Sequence, residues 1–201
     1  MSDAFWNDRY AKAAAEGSAV WSMDPNVWVA EVASALPPGT AIDLAAGEGR
    51  NALWLASRGW RVTAVDFAAT GLSIGRQRAD QAGLDLDWVT ADATTWASPA
   101  PVDLVVIAYL QLPAAQLTAA ISNAIASLAP GGTLALIGHD SENLERGVGG
   151  PKDPAMLWSL EVVRAAAVGL DIAECRRYNR TTADGSVAID TILLATKPAT
   201  E

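Results

Sequence analysis

Acidic side chains follow three strand-like runs in the first half of the sequence. Asp43 and Asp66 each lie at or near the end of such a run, and Asp92 follows a third. In a doubly wound α/β sheet the carboxyl ends of the strands form the edge where ligands bind. The three carboxylates are therefore expected to gather at one edge and to accept hydrogen bonds from cationic or donor groups of a ligand.

A glycine loop directly follows the first of these acids. Its Gly47, Gly49 and Ala52 satisfy the dinucleotide spacing G-x-G-x-x-G/A, and glycines here let the backbone approach a nucleotide closely. Asp43 and Glu48 lie where the pyrophosphate of NAD would have to bind. The sulfonium, ammonium, ribose diol and adenine amine of S-adenosylmethionine are cations or donors, which carboxylates suit. The charge pattern therefore favours S-adenosylmethionine over NAD.

The roles of these residues follow from their order along the chain. Asp43 is expected to face the methionine ammonium, Asp66 the ribose diol and Asp92 the adenine amine, with the Ala93 N–H nearby. Phe67 follows Asp66 and is expected to cover one face of adenine. Two of these acids flank one glycine loop, which favours binding over the alternative that they only form turns or cap helices.

Strand-like and helix-like patterns alternate from Thr40 onward. A turn at Asp184-Gly185 predicts a hairpin at the far edge of the sheet, and Asp24 and Pro25 predict the start of an N-terminal helix. The chain thus reads as α/β, with a doubly wound, mostly parallel, seven-stranded, Rossmann-like sheet, an antiparallel edge hairpin and an N-terminal helical extension. The predicted strands are 40–45, 61–66, 85–90, 102–108, 132–138, 170–180 and 187–196, and the main predicted helices are 50–58, 69–82, 114–128 and 154–168.

No linker divides the sequence, so we expect one domain over 1–201. Within it, 1–38 is predicted to be a helical lid, 40–138 the cofactor-binding core, and 139–201 an acceptor-side loop, helix and terminal hairpin. The polar, glycine-rich loop from Ser141 to Pro154 is long for a compact domain, so we expect it to border the acceptor pocket.

Composition excludes several classes of partner. The net charge of −9 and the scattered 14 basic residues disfavour binding to nucleic acid or to an anionic membrane. Cys175 is the single cysteine, which favours a reducing, cytoplasmic compartment, and the N-terminus does not look like a signal peptide. With one histidine and no cysteine pair, no metal site is expected. A monomer or a homodimer fits the sequence.

The stretches AIDLAAGEGRNALWLASRG, VTAVDF, TADAT and LAPGGTLALIG resemble the successive motifs of class I S-adenosylmethionine-dependent methyltransferases over residues 40–138. Ala45 stands where that family usually has glycine, close to the methionine moiety. The N-terminal FWNDRYA further resembles the tellurite-resistance and thiopurine methyltransferase branch. The family resemblance implies that Trp6 and Tyr10 cover the cofactor, with the alternative that they only pack the N-terminal helices on the sheet. The predicted cofactor-binding set is therefore Trp6, Tyr10, Asp43, Ala45, Gly47, Glu48, Gly49, Asp66, Phe67, Asp92 and Ala93. Glu48 has the alternative of complementing a helix dipole.

Two residues are candidates for catalysis. His139 follows the fifth strand and could act as a general base, or its side chain could anchor a loop by a hydrogen bond. Tyr109 ends the fourth strand, where methyltransferases place groups that contact substrate. Arg176, Tyr178 and Arg180 alternate on one strand face, where they could hold an anionic substrate or simply be solvated.

The sequence therefore predicts methyl transfer from S-adenosylmethionine to a small-molecule acceptor. The branch resemblance implies a soft sulfur, selenium or tellurium nucleophile, which needs little base catalysis. The glycine spacing leaves an NAD-dependent oxidoreductase as an alternative, and the lack of an unambiguous catalytic residue leaves a cofactor-binding module without turnover.

Overall fold

The computed structural model describes residues 2–199. In that range the helices are α1 (Asp3–Ala15), α2 (Val27–Ser34), α3 (Arg50–Ser57), α4 (Ala69–Ala82), α5 (Ala114–Ser127), α6 (Asn143–Arg146) and α7 (Leu160–Ala166), with a 3₁₀ turn at Pro154–Met156. The strands are β1 (Thr40–Leu44), β2 (Arg61–Asp66), β3 (Asp87–Thr90), β4 (Val102–Ala108), β5 (Leu128–His139), β6 (Asp171–Thr181) and β7 (Val187–Thr196).

The strands follow the order β3-β2-β1-β4-β5-β7-β6 in one sheet. β2 pairs in parallel with β1 and β3, and β4 pairs in parallel with β5. β7 runs antiparallel to both β5 and β6. This confirms the predicted Rossmann-like sheet with its antiparallel edge hairpin.

The chain packs as two compact units, Met1–Trp96 and Ala97–Glu201. In the first unit β1 is buried from Ala41 to Leu44. In the second unit the β4 side chains from Leu104 to Ile107 are fully inaccessible to solvent, as expected for strands buried on both faces. The single domain over 1–201 stays a prediction. Among the residues described here, no helix has the length and apolar character needed to cross a membrane.

Two predicted helices begin or end elsewhere. Asn26, not Asp24, caps α2, because its side chain accepts a hydrogen bond from Val29 N while its own N–H donates to the Asn51 side chain. The predicted helix over 154–168 is interrupted at Trp158. The Trp158 N–H donates to the His139 carbonyl and its carbonyl accepts from Ser141 N, which holds this residue extended beside the end of β5.

Candidate active site

The glycine loop of the first unit is fixed by Asp66. This carboxylate is 6% exposed; its Oδ2 accepts from Gly47 N and its Oδ1 from Ala68 N, both at 2.8 Å. Gly49 ends the loop in a left-handed conformation at φ 75° and is the N-cap of α3. Because a carboxylate offers about four acceptor positions, Asp66 holds the loop and still has acceptor capacity for a ligand.

Asp43 lies buried at the end of β1, beneath the start of α3. Its Oδ2 accepts a 3.0 Å hydrogen bond from Ala52 N, so it caps the first turn of that helix. Burial raises the pKa of Asp43 from 3.8 to about 7, against the lowering effects of the Ala52 N–H and the Arg50 charge. The protein thus compensates this negative charge incompletely, and a cationic ligand group would complete the compensation.

Glu48 is engaged by the protein through both oxygens. It is 3% exposed; Oε2 accepts from Val20 N at 3.0 Å and Oε1 pairs with Arg78 at 3.1 Å. These contacts tie the segment between α1 and α2, and the middle of α4, to the glycine loop. Glu48 therefore anchors the loop, a role that differs from the two predicted from the sequence, cofactor binding and compensation of a helix dipole.

The N-terminal aromatic residues lie directly over the glycine loop. Tyr10 is 4% exposed, and a Cβ added to Gly47 would lie 2.5 Å from the Tyr10 hydroxyl. Trp6 stacks on Tyr10 with ring centroids 5.8 Å apart and also contacts Trp21 at 6.0 Å. Burial raises the pKa of Tyr10 well above its usual value, so its hydroxyl stays protonated. Trp6 and Tyr10 therefore stand next to the loop, as a covering role requires.

The remaining predicted cofactor residues lie just after β1, β2 and β3. Asp92 is exposed and its Oδ1 accepts from Thr94 N at 2.8 Å, while Ala93 is 5% exposed. Phe67 directly follows Asp66 and is half-buried. Ala45 adopts a left-handed conformation at φ 66°, which glycine reaches without steric cost.

Trp88 of β3 also packs on the loop, and sequence reasoning missed it. A Cβ on Gly49 would lie 2.7 Å from the tip of the Trp88 indole, and one on Gly75 would lie 2.5 Å from it. The absence of a side chain at these glycines thus leaves room for the Trp88 ring, in addition to any role in nucleotide binding. The signal in the sequence was a glycine at position 75, in the interior of a helix.

In the second unit His139 and Asp190 lie opposite each other. They are register partners in the antiparallel β5–β7 pair, and His139 Nδ1 lies 3.0 Å from Asp190 Oδ1. Asp190 is fully buried. Burial raises the pKa of Asp190, but the neighbouring His139 side chain and the Arg180 charge outweigh it and hold that pKa below its usual value. An ionised carboxylate on Nδ1 orients the ring and leaves Nε2 as the basic nitrogen.

Tyr109 and Arg180 complete this group. Asp190 Oδ2 accepts from the Tyr109 hydroxyl and from Arg180 Nε, each at 2.9 Å. The Tyr109 ring contacts the His139 ring at 5.0 Å between centroids. Tyr109 has a left-handed backbone, φ 60°, a costly conformation for a bulky residue that is typical of functional sites. The site cluster of the second unit is therefore Tyr109, His139, Arg180 and Asp190.

Asp190 was not among the predicted residues. It pairs with His139 across 51 residues of sequence, and that register is decided by the hairpin rather than by local pattern. The available signal was a single acid inside the otherwise uncharged run Val187–Thr196. Asp140, the other acid near His139, instead accepts from Arg177 Nε at 2.9 Å and from the Thr191 hydroxyl.

The loop after β5 is held by hydrogen bonds of one side chain and lies beside His139. It contains α6, and Asn143 fixes it by donating to the carbonyls of Val148 and Gly149 and accepting from Ile189 N. A Cβ on Gly150 would lie 2.8 Å from His139 Cδ2. This loop therefore covers one edge of the His139 ring. That it borders an acceptor pocket stays a prediction.

Residues 41–132 match the family model described as "Methyltransferase domain", whereas a search of curated proteins found no match. TehB from Haemophilus influenzae has a similar fold, with a TM-score of 0.73 and 18% identity over 86% of this chain. This chain spans only 62% of that TehB chain.

Two further solved structures have the same fold. One concerns conversion of a disulfide bond into a thioacetal group during echinomycin biosynthesis, with a TM-score of 0.71, 20% identity and coverage of 89% of this chain and 83% of that one. The other is magnesium protoporphyrin IX methyltransferase (ChlM) from Synechocystis PCC 6803 with bound SAM, with a TM-score of 0.64, 19% identity and coverage of 85% and 74%.

These matches coincide with the region in which Asp43, the glycine loop and Asp66 are arranged as described. The match to a methyltransferase domain favours the methyl donor S-adenosylmethionine over NAD as the cofactor of this loop. Residues 41–132 of this chain are therefore identified as a methyltransferase domain.

Proposed function

We propose that this chain is an S-adenosylmethionine-dependent methyltransferase that acts on a small molecule. The group that it methylates must lose a proton in the reaction, as a hydroxyl or a protonated amine does. The observation that carries the proposal is the 3.0 Å contact between His139 Nδ1 and Asp190 Oδ1. A histidine whose Nδ1 lies beside a buried carboxylate is a base with a neighbour that can orient it. A nucleophile that is already ionised would need no such pair.

The residues of the first unit fit the cofactor. Asp43 offers an incompletely compensated carboxylate for its ammonium, Asp66 has acceptor capacity for the ribose hydroxyls, and Asp92 is exposed for the adenine amine. When bound, S-adenosylmethionine supplies a methyl group on a sulfonium sulfur that keeps the electron pair of the broken bond. Phe67, Ala93, Ala45, Trp6 and Tyr10 are proposed to line or cover the bound cofactor, and Glu48 to anchor the loop.

The residues of the second unit remove the acceptor's proton and stabilise the resulting charge. His139 Nε2 takes the proton, and Asp190 stabilises the imidazolium that forms. The Tyr109 hydroxyl donates to Asp190 and keeps that carboxylate in place. General-base catalysis of this kind contributes on the order of 10²–10⁴-fold to a rate.

A soft sulfur, selenium or tellurium acceptor is the second candidate. The N-terminal resemblance to the tellurite-resistance branch favours it, as do the similar folds of TehB and of the structure concerned with thioacetal formation. With such an acceptor the protein would only align the reactants and exclude water, and His139 would contribute little.

Turnover with matched acceptors separates the two candidates. Wild type, His139→Asn and Asp190→Asn are assayed with S-adenosylmethionine on phenol, amine and thiol panels, and S-adenosylhomocysteine formation is measured. We expect wild type to methylate phenols or amines, and we expect this turnover to be at least a hundredfold lower in both variants. Transfer to thiols alone, unchanged in the variants, would support the second candidate and overturn the first.

Calorimetric titration with S-adenosylhomocysteine and with NAD checks the cofactor separately. If S-adenosylhomocysteine binds but no acceptor of any panel is methylated, the chain would be a cofactor-binding module without turnover. A small-molecule acceptor, a cytoplasmic location and a monomeric or homodimeric state belong to the same proposal, supported by the acidic composition and the single cysteine.

A further inference from the structure

Arg180 is held in place inside the site cluster of the second unit. Its Nε donates to Asp190 Oδ2 at 2.9 Å, and its guanidinium lies 5.6 Å from the centroid of the Tyr109 ring. The side chain is 28% exposed. These contacts, together with a hydrogen bond between the Arg180 and Tyr109 side chains, position the guanidinium before any ligand binds.

Arg177, on the same strand, differs from Arg180 because it pairs with two carboxylates. Its Nε binds Asp140 Oδ1 at 2.9 Å and its Nη1 binds Glu142 Oε1 at 3.0 Å. Both the inner and the outer end of that guanidinium thus contact carboxylates. For Arg180, the ion pair found within residues 2–199 joins Nε to Asp190, and no second carboxylate of that range pairs with its guanidinium.

The charge balance of the cluster leaves room for one more anion. The Arg180 charge offsets that of Asp190, and His139 becomes cationic when it takes a proton. An anion beside Arg180 would stabilise that imidazolium by Coulomb attraction. The rest of the chain is strongly acidic, so a partly exposed arginine in the cluster is a local exception to a surface that repels anions.

We infer that the outer end of Arg180 binds a carboxylate of the methyl acceptor, which is therefore a small hydroxy- or amino-carboxylate. The inference rests on the proposed function and adds the class of acceptor to it. A guanidinium presents two parallel N–H groups that match a planar carboxylate bidentately. Fixing the carboxylate would also fix how the acceptor lies relative to His139.

The test is a titration observed at Arg180 itself. Protein labelled with ¹⁵N-arginine and saturated with S-adenosylhomocysteine is titrated with 4-hydroxybenzoate and, separately, with 4-hydroxybenzamide, its neutral isostere. Arg180→Lys identifies the Nε–H signal. We expect the benzoate to shift that signal in a saturable way and to bind on the order of tenfold or more tightly than the amide. Equal shifts, or no shift with either probe, would overturn the inference.

Two variants extend the test. Arg180→Lys keeps a positive charge beside Asp190 and removes the fork, so we expect the preference for the benzoate to fall about tenfold. Arg177→Lys, the control on the same strand, should keep it. If neutral acceptors are methylated as well as carboxylates and Arg180→Lys has no effect, the proposed function stands and this inference fails. If the benzoate binds at Arg180 and neither it nor other carboxylate acceptors are methylated, the carboxylate site stands and the proposed function fails.

Discussion

Asp66 Oδ2 accepts the Gly47 N–H at 2.8 Å, across 19 residues of sequence. The carboxylate proposed to bind the ribose thus also holds the loop on which the cofactor would lie. Cofactor affinity and loop stability therefore depend on the same side chain.

Asp66→Ala should lower both quantities. We expect S-adenosylhomocysteine affinity to fall by about 1.5–3 kcal/mol, the scale of a hydrogen bond to a charged group. Without ligand, the free energy of unfolding should fall by about 1–3 kcal/mol, because two buried N–H groups lose their acceptor. Calorimetry and urea denaturation measure the two effects. Asp87→Ala, at an exposed position in β3, is the control, and unchanged affinity in Asp66→Ala would remove the ribose assignment.

Asp43 should make stability depend on pH. Its folded pKa of about 7 lies above its ordinary value of 3.8, so the folded state binds the proton more tightly. The stability from this group is fully present below about pH 4 and is lost as pH rises through 7, with a slope of at most about 1.4 kcal/mol per pH unit. Asp43→Asn should remove this slope in denaturation experiments between pH 4.5 and 8.

The same group predicts how cofactor binding responds to pH. An ammonium beside Asp43 favours the ionised carboxylate, so binding releases a proton and affinity rises as pH increases toward 7. Calorimetry in buffers of different ionisation enthalpy counts that proton. Equal pH profiles for wild type and Asp43→Asn would place the ammonium elsewhere.

Gly75→Ala should destabilise the protein although alanine favours helices. The new methyl group would lie 2.5 Å from the Trp88 ring and 2.8 Å from the Glu48 carbonyl. Overpacking of this kind costs about 1–3 kcal/mol, more than the roughly 1 kcal/mol gained in helix propensity. Adding Trp88→Leu should recover much of the loss. A stabilised single variant would show that Trp88 does not pack against α4.

Gln111→Leu should stabilise the protein. Both polar atoms of the Gln111 side-chain amide are buried, and neither has a hydrogen-bond partner within residues 2–199. Removing a buried, unsatisfied amide should raise the free energy of unfolding by about 1 kcal/mol. Gln116→Leu, at an exposed position on α5, should change it by less than about 0.5 kcal/mol. A loss of stability in Gln111→Leu would indicate an ordered water on the amide.

The sequence predicted well what depends on local pattern. β2, β4 and α4 have the predicted bounds, and Asp43 and Asp66 lie at the strand ends where ligand-binding acids were expected. Hydrophobic runs and turn residues specify such elements within about ten residues. The residues proposed to hold a cofactor can therefore be identified from the sequence where the motif is continuous.

Long-range pairing was not readable in the same way. Asp190 meets His139 through the register of two strands joined only indirectly, and Glu48 meets Arg78 and Val20 through tertiary packing. The helix expected over 154–168 has suitable residues, but backbone bonds to β5 hold Trp158 extended. In each case a contact between distant segments overrode or completed the local pattern.

The register of β5 and β7 constrains how this chain can change in length. Inserting or deleting one residue in β7 before Asp190 would turn this carboxylate to the opposite face of the sheet, because side chains alternate along a strand. The turn at Asp184-Gly185 lies outside the paired residues and can lengthen without moving the pair. Natural variation in length should therefore occur at the tip of the hairpin and be excluded from the strand pairing that joins His139, the proposed base, to Asp190.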